Sequence, residues 1–166
     1  MDIIVFSDSH GNGERMTEMI RRSGADAVIF LGDGLREFEK LQMADRRRRI
    51  YISVRGNCDV FENGTPLTRE FELEGVTFLA LHGHTMNVKH GTKALEEYAK
   101  SRGIDIVLYG HTHVPDDRYL HNEEDKKPLI MLNPGSIGDS YKPSFATVTV
   151  KNGQILTNCA LYTEEQ

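Results

Sequence analysis

The 166-residue sequence predicts an α/β domain built on mixed β-sheets, and three observations carry that prediction. Through residues 2–57, short runs of consecutive apolar residues alternate with helix-length amphipathic segments. That is the pattern of parallel strands buried on both faces beneath crossover helices. Further along, Glu74-Gly75 and Asn152-Gly153 split longer strand-like stretches into hairpins. Finally, the early strands end in glycines beside polar residues, and open α/β sheets bind their ligands at the carboxyl ends of strands.

DIIVFS (2–7) reads as the first strand. GNGERMTEMIRRSG (11–24) follows as a helix with Met16, Met19 and Ile20 facing inward and Gly24 as its stop. AVIFLGD (27–33), LREFEKLQMAD (35–45) and IYISVRGN (50–57) then read as strand, helix and strand. TREFELEGVTFLALHGH (68–84) is a hairpin, GTKALEEYAKSRG (91–103) a helix closed by Gly103, and IDIVLYG (104–110) another buried strand. Residues 117–136 and 145–162 read as two further hairpins, which makes the C-terminal portion antiparallel. No repeat, low-complexity tract or linker interrupts this order, so residues 1–166 are expected to form one domain.

Composition narrows the function classes. Hydrophobic residues at 39% and charged residues at 27% are ordinary for a globular protein. A chain this long buries roughly 70% of the surface that its unfolded form exposes, so no staple is required. No apolar run approaches the roughly 20 residues that cross a bilayer, and no membrane partner is expected. MDIIVFSDSHGN reads as a strand and loop, without the basic and long apolar regions of a signal peptide. Cys58 and Cys159 form no disulfide framework, which points to a reducing, cytoplasmic location. A net charge of −5 argues against nucleic acid as a partner. The run Arg46-Arg47-Arg48-Arg49 reads first as a solvated helix end favoured by the helix dipole, and second as a phosphate-steering patch.

Five strand ends carry chemistry: Ser7-Asp8-Ser9-His10-Gly11-Asn12, Gly32-Asp33-Gly34, Gly56-Asn57-Cys58-Asp59, His82-Gly83-His84 and Gly110-His111-Thr112-His113. Each alone has an ordinary reading as a cap, a turn former or an incidental histidine. Together they offer oxygen ligands from Asp8, Asp33 and Asn57 and nitrogen ligands from His10, His82, His111 and His113. Such a mixed set suits borderline first-row cations rather than Ca²⁺. It is too large for one ion and suits two that share a carboxylate. His111 and His113, two residues apart, would point the same way on extended chain. The adjacent glycines would let the backbone turn sharply and leave room for a substrate. Paired cations about 3.5–4 Å apart are a recurring device for hydrolysing phosphate esters.

The order D-x-H, G-D, G-N-x-D, H-G-H and G-H-x-H resembles the calcineurin-like metallophosphoesterase superfamily. Asn133-Pro134-Gly135-Ser136 resembles a further loop of its compact YfcE-like phosphodiesterase branch. The resemblance implies a four-layer α-β-β-α sandwich, with two mixed sheets face to face and helices outside. It implies that Asp8, His10 and His113 hold one divalent cation, that Asn57, His82 and His111 hold the other, and that Asp33 bridges them. Mn²⁺ is the first expectation, with Ni²⁺, Co²⁺, Fe²⁺ or Zn²⁺ as the others. It further implies in-line attack on a small phosphodiester by a hydroxide bridging the ions, with Asp33 and Asn57 as the catalytic residues and Asn57 also touching the phosphoryl oxygen. Related compact enzymes suggest a homodimer.

Cys58 departs from the pattern, because many members place a histidine there to assist the leaving group. A thiol is a weaker donor with a reference pKa near 8.5. General acid help is typically worth about 10²–10⁴-fold, so its loss favours diesters with good leaving groups. His84 is a stand-in acid or a loop residue, Asn12 and Asp59 are expected to contact substrate or support the ligands, and His90 and His121 read as surface residues. A competing reading is a non-catalytic scaffold, since the same compact fold serves in the retromer coat. The intact ligand set favours the enzyme.

Overall fold

The computed structural model describes residues 1–121 and 127–164. The N-terminal region folds as β1 (Asp2–Phe6), α1 (Gly13–Ser23), β2 (Ala27–Phe30), α2 (Leu35–Ala44) and β3 (Ile50–Ser53). After it come β4 (Thr68–Leu73), β5 (Val76–Leu81), α3 (Lys93–Ser101), β6 (Ile106–Tyr109), β7 (Pro115–Leu120), β8 (Leu129–Pro134), β9 (Ser144–Lys151) and β10 (Gln154–Leu161). Two five-stranded sheets result, ordered β10-β9-β1-β2-β3 and β4-β5-β6-β8-β7. In the first, β1, β2 and β3 are parallel, while β9 runs antiparallel to β1. In the second, β5, β6 and β8 are parallel, and β4 and β7 are antiparallel edges.

Strand periodicity accounts for the layers. Ile3, Val5, Ala27 and Ile29 face Phe78, Ala80, Ile106 and Leu108 across the space between the sheets. The alternate residues Ile4, Phe6, Val28 and Phe30 face outward onto Met16, Ile20, Phe38 and Leu41 of the helices. On the other side, Leu79, Leu81 and Val107 lie beneath Leu95 and Ala99 of α3. Strands covered on both faces are apolar at every position, which is why the runs looked continuous rather than alternating. The protein is thus a four-layer α-β-β-α sandwich.

Several boundaries differ from the sequence expectation. β2 and β3 stop at Phe30 and Ser53 rather than at residues 33 and 57. Pairing ends after the Val54 N–H bonds the Phe30 carbonyl, and the Arg55 N–H turns away to the Pro66 carbonyl. The residues beyond are released as loops that reach the site. α3 is shorter than residues 91–103 because Gly91 at its start and Gly103 at its end take positive φ; ahead of it, Gly83 and Asn87, also at positive φ, bound two 3₁₀ turns, His84–Met86 and Val88–His90. The hairpin expected over 117–136 begins at Pro115, and residues 122–126 lie outside the described residues. Arg46, Arg47 and Arg48 are exposed as expected, but Arg49 is not solvated. Its guanidinium donates to the Asp45 carboxylate at 2.6 Å and to the carbonyls of Ala25 and Ile20, tying α2's end to the end of α1. Among the described residues, no helix is long and apolar enough to cross a membrane.

The carboxyl ends of β1, β2 and β3 in one sheet and of β5 and β6 in the other meet at one end of the sandwich. The Asp8 N–H bonds the Gly32 carbonyl at 2.9 Å, and the Gly110 N–H bonds the His82 carbonyl at 3.0 Å. The His111 N–H crosses between sheets to Asp8 Oδ2 at 3.1 Å.

Candidate metal centre

Five of the predicted ligands sit at left-handed backbone angles: Asp8 (φ 55°), His10 (43°), Asp33 (61°), His111 (67°) and His113 (61°). Each such residue costs of order 1–3 kcal/mol and persists only where its surroundings over-determine it. The clustering marks the centre as strained for function. It also replaces the extended-chain reason for pairing His111 with His113. Both reach the same cleft, but through a left-handed loop whose side chains find different partners.

Asp8 is fully buried. Its Oδ2 accepts hydrogen bonds from the Ser7 hydroxyl and the His111 N–H. Its Oδ1 is also buried and has no hydrogen-bond partner. That oxygen lies 3.0 Å from His113 Nε2, 3.7 Å from His10 Nε2 and 3.9 Å from His82 Nε2. His10 and His113 approach each other at 3.4 Å between their Nε2 atoms.

His82, also fully buried, has Nδ1 at 2.7 Å from the Leu31 carbonyl, so Nδ1–H donates there and Nε2 is left as an acceptor. That Nε2 faces Asn57 Oδ1 at 3.1 Å, His111 Nδ1 at 3.2 Å and Asp33 Oδ2 at 3.4 Å. Acceptors converge on one point, and only a proton or a cation satisfies them. Burial lowers the His82 pKa, but the Asp33 and Asp8 carboxylates outweigh it and raise the net value. His113 is raised chiefly by the Asp8 carboxylate 3.0 Å away, whereas His111 is lowered by burial and by the His82 charge. Asp33 resists protonation in spite of its burial, because His82 and the Cys58 N–H hold its carboxyl well below the usual range.

The supporting residues divide clearly. Asp59 is buried and accepts four backbone N–H bonds, from Asp33, Gly34, Leu35 and Gly56, at 2.7–2.9 Å. It thereby fixes the Asp33 loop and the start of α2. Cys58 is exposed, and burial of its sulfur with the neighbouring Asp33 pushes the thiol up to about 11. Asn57 Nδ2 lies 3.3 Å from that sulfur. His84 lies near the centre, its ring tilted and 5.4 Å from that of His82 and edge-on at 6.1 Å to that of His111, with a buried Nδ1 that has no partner among the described residues. Its pKa is lowered by burial and by His82. Asn12 is exposed and donates to the Gly138 carbonyl at 3.0 Å. His90 and His121 are exposed.

Gly11, Gly32, Gly34 and Gly83 take the positive φ expected of sharp turns, and the space beside Gly11 is open, but the other site glycines leave no room. A Cβ on Gly32 would lie 2.4 Å from the Gly56 nitrogen, and one on Gly110 would lie 2.0 Å from Ser7 Oγ. The space beside these two is taken by neighbouring residues rather than left for substrate. Sequence reasoning also missed the C-terminal support. Ser136 Oγ and the Gly138 N–H both bond the Asp8 carbonyl, at 2.8 Å and 3.1 Å. Asn133 Nδ2 holds Gly110 and Thr112 of the histidine loop at 3.0 Å each. The Asn133–Ser136 run was visible as a motif, but nothing in its spacing says what it grips.

The donor set fits divalent cations. Asp8, His10 and His113 place ligand atoms within 4.8 Å of one another, as do Asp8, Asp33 and His82, and also His10, Asp33 and Cys58. An unpartnered buried carboxylate oxygen facing three imidazole nitrogens is chemistry that a first-row cation satisfies.

The calcineurin-like phosphoesterase superfamily domain matches residues 1–153. The phosphodiesterase YfcE of Escherichia coli is 27% identical over 183 residues, covering 97% of this chain and 92% of its own. A Streptococcus pneumoniae protein described as a predicted phosphoesterase superimposes with a TM-score of 0.76 at 30% identity, covering 96% of this chain and 88% of that one. Vps29 of Entamoeba histolytica, solved as a complex with zinc, shares the fold with a TM-score of 0.69 at 20% identity, covering 97% and 99%. With the match spanning nearly all of the sandwich and every one of its site loops, the chain belongs to the calcineurin-like phosphoesterase superfamily and to its compact YfcE-like branch.

Proposed function

We propose that this member of a family of metal-dependent phosphoesterases is a dinuclear phosphodiesterase acting on small diesters. The observation that carries the reading is Asp8 Oδ1, buried without a hydrogen bond and facing the Nε2 atoms of His113, His10 and His82. Asp8, His10 and His113 would hold one cation and Asn57, His82 and His111 the other, with Asp33 shared between them. Mn²⁺ is the first metal to test, and Ni²⁺, Co²⁺, Fe²⁺ or Zn²⁺ would suit the same donors. When bound, the cations supply Lewis acidity, bringing the pKa of water toward neutrality and neutralising phosphoryl charge.

The chain's own residues do the rest. Leu31 fixes the His82 tautomer so that Nε2 is free to bind. Asp59 pins the backbone that carries Asp33, so the shared carboxylate keeps its place without adjusting at each turnover. Asn57 directs its amide oxygen toward His82 Nε2, and its Nδ2, which now donates to the Cys58 sulfur, would turn to the phosphoryl oxygen. With a thiol pKa of about 11, Cys58 is a poor proton donor, which favours diesters whose leaving group needs no acid. The scaffold reading draws on the likeness to Vps29, which at 20% identity speaks for the fold alone.

The test is hydrolysis of bis(p-nitrophenyl) phosphate and p-nitrophenyl phosphate by chelator-stripped protein given Mn²⁺, Ni²⁺, Co²⁺, Zn²⁺ or Mg²⁺ in turn. Diester turnover should return with a transition metal, exceed monoester turnover, and vanish in Asp33→Ala. Folded protein that is inert with every metal would move the reading to the scaffold.

A further inference from the structure

Beside the centre, a cleft of ≈ 330 Å³ opens outward between α2 and the turn that follows Asp59. We propose that it is a subsite for a neutral, planar aromatic substituent of the phosphate ester, with Phe61 as the stacking platform. This inference rests on the phosphoesterase reading above.

The cleft is continuous with the centre. His10, Asp33 and Cys58 close its inner end, and the donor atoms of these three lie within 4.8 Å of one another. A phosphate held there can project one ester arm past Cys58 into the cleft. The volume falls at the low end of small-molecule sites, roughly 300–1,000 Å³, which suits one ring rather than a chain of groups.

The outer wall is apolar and fixed. Val60 and Phe61 are 67% and 80% exposed, and they directly follow Asp59, which is 7% exposed and held by four backbone N–H bonds. The Glu62 N–H closes the turn onto the Asp59 carbonyl at 3.2 Å. Single exposed hydrophobic residues are ordinary. Two adjacent ones on an anchored turn, at the mouth of a strained polar centre, are the wall of a binding site. The Arg36 guanidinium lies 5.7 Å from the centroid of the Phe61 ring, so a planar cation and a planar ring stand together.

Charge sets the rest of the chemistry. Arg36 is paired with Glu62 at 3.2 Å, and the other charged lining residues are Asp33, Glu37 and Asp59. A second anionic group on the substrate would meet carboxylates there, with Arg36 already paired, and a cationic one would meet the Arg36 guanidinium beside the ring. The substituent is therefore neutral, an aryl group or a nucleobase. Stacking a ring on an aromatic side chain is worth about tenfold in affinity.

The test is calorimetric binding of phenylphosphonate and methylphosphonate to Mn²⁺-loaded wild type, Phe61→Ala and Phe61→Trp, with adenosine 5′-phosphate against ribose 5-phosphate as a second pair. Phe61 is exposed, so these variants should fold. Wild type should prefer phenylphosphonate by about tenfold. Phe61→Ala should abolish the preference while leaving methylphosphonate affinity unchanged, and Phe61→Trp should retain it. A matching preference for adenosine 5′-phosphate supports the subsite with a nucleobase as the ring, and a preference confined to phenylphosphonate supports it with an aryl group. No preference in wild type, or a preference that survives Phe61→Ala, overturns it. Turnover of bis(p-nitrophenyl) phosphate, followed in parallel, separates the two ideas. Turnover without the phenyl preference sinks the subsite alone. The preference without turnover supports the subsite and counts against the phosphodiesterase.

Discussion

At Cys58 the chain carries a thiol, raised to about 11, where a stronger acid would serve poor leaving groups. Cys58→His should therefore speed esters of unactivated alcohols by about 10²-fold while changing p-nitrophenyl diesters much less, since acid help is worth about 10²–10⁴-fold. Rates for phenyl and p-nitrophenyl esters of one series would check it, and equal gains on both would contradict it. The donor atoms themselves were legible in the sequence, because carboxylate, amide and imidazole recur in a fixed order beside glycines. Their backbone angles were not. Asp8, His10, Asp33, His111 and His113 adopt left-handed φ that is sparse for residues with a Cβ, and only distant bonds hold it. Ser136 supporting the Asp8 carbonyl from 128 residues away is such a bond, and no local pattern announces it.

Among the elements, the loops after β2 and β3 pack against each other through Gly32 and Gly56. A Cβ on Gly32 would sit 2.4 Å from the Gly56 nitrogen at a φ of 96°, so Gly32→Ala adds both a clash and a strained angle. We expect a loss of about 2–4 kcal/mol in unfolding free energy, summing overpacking and backbone strain, measured by urea denaturation. At the far end of α2, Asp45 accepts bonds from Arg49 and from the Tyr51 hydroxyl. Burial pulls its carboxyl up, but those bonds outweigh it and hold the pKa at about 2, below the 3.8 of the free group. A depressed carboxylate stabilises the fold above its unfolded pKa, and that contribution is lost as pH falls from about 4 to about 2. Asp45→Asn should flatten the acid limb of stability in that window and leave the slope above pH 5 unchanged. The helices and strands of this half were readable from periodicity, while the ends of β2 and β3 were not. Arg55 to Asn57 look strand-like locally and leave the sheet because their hydrogen bonds go elsewhere.

Over the whole molecule, two sheets bring their strand ends to one place, and cations should act as a clamp across them. Saturating Mn²⁺ at about 100 times its dissociation constant should add about 2.7 kcal/mol, raising the melting temperature by roughly 5–10 °C. Asp8→Asn should lose most of that gain, as differential scanning calorimetry would show. The layered fold was legible as a class from its alternating elements, but the placement of β9 beside β1 was not, because a hairpin does not disclose which sheet it will join. Seven side chains on loops from these two sheets should hold two cations around Asp8 and Asp33. Anomalous diffraction from crystals grown with Mn²⁺ tests it most directly. Two ions, one on Asp8, His10 and His113 and one on Asn57, His82 and His111, with Asp33 touching both, is the predicted result. A single ion, or ions bound without Asp33, would contradict the account.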